Sequence, residues 1–64
     1  MSSWHPSYIA GIPGAYRPWM VIQNNPLRHM VERKRKNMRR FETYRRALLA
    51  ANKQNRLEGL PEVQ

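Results

Sequence analysis

Apolar residues recur at helical spacing through the middle of the chain. Leu27, Met30, Val31, Met38, Phe41, Leu48 and Leu49 fall on one stripe of a helical wheel, with Tyr44 at its margin. Arg28, Arg35, Lys36, Arg39, Arg40 and Arg46 cover the opposite side, while Lys34 and Arg45 interrupt the stripe. The segment also has punctuation at both ends. Asn25 suits a cap and Pro26 the first helical position, where its missing N–H would be unpaired anyway. Gly59, followed by Pro61, suits the stop. The pattern predicts one basic helix over residues 26–57, about 32 residues and about 48 Å long, with a tail over residues 58–64.

Residues 1–25 follow no such period. Pro6, Pro13 and Pro18 push the residues before them toward extended geometry, and Pro13-Gly14 is a turn signal. An arm of short extended pieces is expected, carrying Trp4, Tyr8, Tyr16 and Trp19 toward a partner surface. The predicted fold class is mostly α: an extended Pro/Gly-rich N-terminal arm plus one long basic amphipathic helix, with no independent core. Composition points the same way. A chain of 64 residues has little interior to build, and this one has no Cys and a single Phe.

Charge then changes the picture from fold to partner. Twelve Lys and Arg stand against four acids, a formal net charge of +8. The stretch VERKRKNMRRFETYRR, residues 31–46, holds most of that excess with only Glu32 and Glu42 against it. On a helix, Arg35 would repel Arg39 and Lys36 would repel Arg40. Such an excess suits an external anion better than solvent, because phosphate backbones release counterions and Arg forks pair with phosphate oxygens. The candidate RNA contacts are Arg28, Arg33, Arg35, Lys36, Arg39, Arg40 and Arg46. RNA is favoured over DNA because no helix-turn-helix, zinc ligand set or downstream zipper accompanies the basic run. The candidate protein-docking residues are Trp4, Tyr16, Trp19, Leu27, Val31, Met38, Phe41 and Leu48; Tyr44 suits either stacking or packing.

Chemistry of other kinds finds no foothold. His5 and His29 lie in no metal-ligand spacing, and no Cys or Asp occurs in the chain. Ser2, Ser3 and Ser7 near His5 lack an acid partner, and AGIPGAY lacks the Gly-Lys-Ser/Thr ending of a phosphate loop. No enzyme activity, metal or cofactor is expected. Residues 1–16 are uncharged apart from the chain terminus, but they are too short and too rich in Pro and Gly to span a membrane. Residues 1–25 contain one Arg, Arg17, unlike a mitochondrial presequence or a secretory leader.

The segment NNPLRHMVERKRKNMRRF, residues 24–41, resembles mitochondrial ribosomal proteins. It is similar to the large-subunit protein fifty-one family at Pro18-Trp19, Asn25-Pro26-Leu27, Met30-Val31 and Arg33-Lys34-Arg35-Lys36. The KRK run followed by aromatic and Arg positions also resembles the N-terminal helix of the small-subunit fourteenth family. The resemblance implies a structural subunit bound to ribosomal RNA and neighbouring ribosomal proteins in the mitochondrial matrix. The alternative expectation is an accessory subunit of a respiratory complex or ATP synthase on the matrix face, contacting membrane-complex subunits or anionic lipid.

Overall fold

The computed structural model of the chain describes residues 2–9 and 16–64. Its elements are β1 (His5–Tyr8), β2 (Trp19–Gln23), β3 (Arg28–His29), β4 (Arg40–Phe41) and α1 (Tyr44–Glu58). The strands form one antiparallel sheet with β2 in the middle. On one side β1 pairs with β2 over its whole length, His5 opposite Ile22 and Tyr8 opposite Trp19. On the other side two short strands lie end to end. β3 sets His29 against Ile22 and Arg28 against Gln23, whereas β4 sets Phe41 against Trp19 and Arg40 against Met20.

Between β3 and β4 the chain leaves the sheet. Met30 N–H still donates to Val21 O at 2.9 Å, and Arg39 N–H returns to Met30 O at 2.9 Å. Val31 and Met38 form an isolated antiparallel bridge, and Glu32 N–H donates to Asn37 O at 2.8 Å. Residues 31–39 thus form a hairpin inserted into what would otherwise be one continuous edge strand. Every residue from 31 to 40 is exposed.

This architecture overturns the mostly helical expectation. No helix forms over residues 26–43; α1 has 15 residues and begins at Tyr44. Pro26 lies in the turn over residues 24–27, after a cis Asn25–Pro26 bond, rather than at a helix start. In the observed arrangement Met30 and Phe41 find packing partners around β2, which an isolated helix would not supply. α1 starts where the sequence becomes a better helix. Thr43 caps it, its Oγ1 accepting from Arg46 N–H at 3.2 Å, and ALLAA follows with high helix propensity. Gly59, in the left-handed conformation with φ 71°, ends it.

The chain also has a core of its own, contrary to expectation. Side chains alternate across a pleated sheet, so the paired positions Trp19/Phe41 and Gln23/Arg28 share with Val21 the face under α1. Trp4, Val21 and Phe41 are buried there against Ala47 and Ala51. Ala47, Ala51 and Asn55 recur every four residues, making one narrow helix stripe that lets the backbone come close to the sheet. Trp19 packs against this cluster between Tyr8 and Tyr44, at ring-centroid distances of 5.3 and 5.2 Å in edge-to-face geometry.

Polar side chains tie down the ends. Asn55, fully buried, accepts from Trp4 N–H at 2.7 Å and donates to Trp4 O at 3.0 Å. Gln23, also fully buried, donates to Ser2 O at 2.7 Å and accepts from Arg28 Nε at 2.7 Å. Asn52 makes a two-way pair with the backbone of Val63, both bonds at 2.7 Å. Trp4 and Val63 are thereby held against the carboxyl half of α1, and Ser2 against β2.

Candidate nucleic-acid interface

The basic residues singled out by the sequence fall into two groups, Arg28 on β3 and the cations of the hairpin, β4 and the first turn of α1. At the Gln23 end, Arg28 is occupied internally. Its guanidinium lies 5.0 Å from the Trp4 ring and 3.8 Å from Glu58, and its Nε is bonded to Gln23. Glu58 also accepts from Gln54 at 2.6 Å and from Trp4 Nε1 at 3.0 Å. The Gln54 bond leads in holding the Glu58 carboxyl below its ordinary range; burial opposes it, and Trp4 and Arg28 reinforce it. Arg28 was a candidate RNA contact by charge alone. The structure makes it a partner of Trp4, Gln23 and Glu58, because β3 turns it onto the helix-covered face.

The second group has no carboxylate partner among the described residues. Arg33, Lys34, Arg35 and Lys36 form the turn of the hairpin, and Arg39 and Arg40 lie on its return. The ion pairs among the described residues are Arg28–Glu58 and Arg56–Glu62, neither of which involves this group. Lys36 has φ 61°, the left-handed conformation that closes the turn. Lys34, an interruption in the helical reading, becomes one more cation at the tip. Arg33, Arg35, Lys36, Arg39 and Arg40 lie on the hairpin and its return rather than on a helix face, and Arg46, from the first turn of α1, meets Arg39 and Arg40 at one groove.

An open groove of about 590 Å³ lies beside the hairpin. Arg17, Arg39, Arg40 and Arg46 line it, with Met38 and Phe41 contributing apolar surface and Tyr16 an exposed aromatic ring. Glu32 and Glu42 are in its wall as well. Arg40 is held by a bond from its Nε to Arg17 O at 2.8 Å, leaving its terminal nitrogens for a ligand. Arg39 lies over the Phe41 ring at 4.9 Å, and Arg17 over Tyr16 at 5.8 Å. Guanidiniums steadied on rings and carbonyls keep free donors in defined directions, which suits phosphate oxygens.

The structure redistributes the expected protein-docking residues. Trp4 and Phe41 are 5% and 8% exposed and belong to the chain's own core, so they are not free to enter a partner's pocket. Trp19 and Leu48 are half-buried. Tyr16, Leu27, Val31 and Met38 remain exposed. Leu27, Val31 and Met38 do not form the single helical edge expected, since Leu27 is in the β2–β3 turn and Val31 and Met38 are on the hairpin; Tyr16 lies at the groove.

Sequence reasoning missed Arg17, Glu32 and Glu42 as groove residues. The pairing of β4 with β2, which brings Arg17 beside Arg40, joins positions 23 apart in the chain. No local period signals it. By register, His5 and His29 flank Ile22 on the uncovered face of the sheet. Among the described residues no group of three or more His, Cys, Asp or Glu is placed to hold a metal ion. No helix among them is long and apolar enough to cross a membrane.

Comparison with protein-family models, curated proteins and solved structures finds no match to this chain.

Proposed function

We propose that this protein is a non-catalytic RNA-binding subunit of a larger ribonucleoprotein, with the basic hairpin and its groove as the contact surface. One observation carries the reading. Residues 31–40 hold six Lys and Arg against one Glu, are exposed throughout, and contribute to no ion pair among the described residues. A solvated surface gains from mixed charge, whereas a one-signed projection of this kind is stabilised when an anion arrives.

The hairpin is narrow and anchored at Met30 and Arg39, so it can enter a groove of folded RNA without unfolding the domain. The small core and the strapped ends give it a rigid base. Within this reading, the resemblance over residues 24–41 favours the mitochondrial ribosome as the particle, with ribosomal RNA and adjacent ribosomal proteins as partners. The exposed Leu27, Val31 and Leu49 suit the protein side of such a contact.

The test is sedimentation of the native particle from mitochondrial extract. The chain should travel with RNA and be released by nuclease or high salt. Retention on detergent-solubilised membrane complexes after nuclease would refute the reading.

A further inference from the structure

The groove contains more than a phosphate clamp needs. Four guanidiniums line it, yet so do Glu32 and Glu42, and neither carboxylate forms an ion pair among the described residues. For a bare phosphate the two carboxylates only offset part of the attraction of the four guanidiniums. A nucleotide whose base presents hydrogen-bond donors would use them, because a carboxylate accepts from a base edge as readily as Arg donates to a phosphate.

We propose that the groove takes one unstacked guanine of a single-stranded RNA, with phosphates on the arginines and the N1–H and N2 amine of its Watson–Crick edge on one of the two carboxylates, Glu32 or Glu42. The inference rests on the RNA-binding reading above. Guanine alone among the four bases sets two donors, N1–H and the N2 amine, side by side on that edge, matching the two oxygens of one carboxylate. Uracil offers one donor between two carbonyls, which would face the carboxylates unfavourably. Tyr16, 75% exposed at the groove, supplies a stacking surface for an unpaired base. The open groove, about 590 Å³, has room for a nucleobase.

Fluorescence anisotropy of the full chain with labelled UUUGUUU and UUUUUUU RNA tests this. The guanine-containing heptamer should bind at least about five-fold tighter. In a Glu32→Ala/Glu42→Ala variant that preference should vanish, while affinity for the uracil-only RNA rises because two negative charges are gone. Without any mutation, GMP should displace the labelled RNA at lower concentration than UMP or inorganic phosphate. Equal affinity of the native chain for both heptamers, or equal displacement by GMP and UMP, overturns the guanine assignment but leaves RNA binding intact. No binding to either heptamer overturns both.

Discussion

The side-chain amide of Asn55 and the backbone of Trp4 bond in both directions, 2.7 Å from Trp4 N–H to Oδ1 and 3.0 Å from Nδ2 to Trp4 O. An amide side chain copies the pattern of a neighbouring strand, so α1 satisfies the segment entering β1 where no further strand does. Replacing Asn55 by Ala leaves both buried backbone groups unpaired. The predicted loss is about 2–4 kcal/mol, read as a lower midpoint in urea unfolding. Asn55→Asp should lose at least as much, since it sets a buried carboxylate oxygen against Trp4 O and Asn52 Oδ1 where the amide donated.

The close approach of helix to sheet depends on Ala47 and Ala51, both fully buried. Ala51→Leu adds volume where Trp4, Val21 and Phe41 already fill the space. A destabilisation of about 1–3 kcal/mol is predicted. At Leu49, 64% exposed on the same helix, Leu→Ala should change the thermal midpoint little.

Glu58 gives stability a pH dependence with a definite sign. Its carboxyl is held below the ordinary value of 4.5 by the Gln54 bond first, with Trp4 and Arg28 acting in the same direction against burial. A depressed carboxyl stabilises the fold above its unfolded value, and that contribution disappears as pH falls through the folded value. The native chain should therefore be more stable than Glu58→Gln at pH 7. The gap should close on acidification below pH 4.5 in parallel chemical-denaturation series.

Lys36 holds a left-handed backbone, φ 61°, that L side chains adopt at a cost. Lys36→Gly should raise stability by about 0.5–1 kcal/mol and Lys36→Val should lower it by more than that. Thermal melts of the two variants check the geometry of the hairpin turn independently of any ligand.

Several of these features were legible in the sequence and several were not. Gly59 as a helix stop follows from local chemistry, and the good helix formers of ALLAA lie where α1 forms. The region from Pro26 to Glu42 defeated the same reasoning. Met30, Val31, Met38 and Phe41 happen to satisfy a helical period, while their actual placement is set by pairing with Val21 and Trp19 of β2 or across the hairpin. Pro6 and Pro18 argue locally against a sheet, yet Pro6 sits on an edge strand and Pro18 just before β2, where proline is tolerated. For the site, the basic run is exposed from residue 31 to 40, on a hairpin instead of the helix face its spacing suggests. Charge alone could not separate Arg28, whose neighbours Trp4 and Glu58 are distant in sequence, nor recruit Arg17 to the groove.

The most direct test of the account is the salt dependence of RNA binding by the hairpin. Affinity for a single-stranded RNA is measured by anisotropy across a salt series, for the native chain and for Arg33→Ala/Lys34→Ala/Arg35→Ala/Lys36→Ala. Each lost phosphate contact should lower the slope of log K against log salt by about 0.7, so the variant should bind more weakly with a slope shallower by up to about 3. An unchanged affinity and slope, in a variant that melts like the native chain, would contradict the assignment of the hairpin as the RNA-binding element.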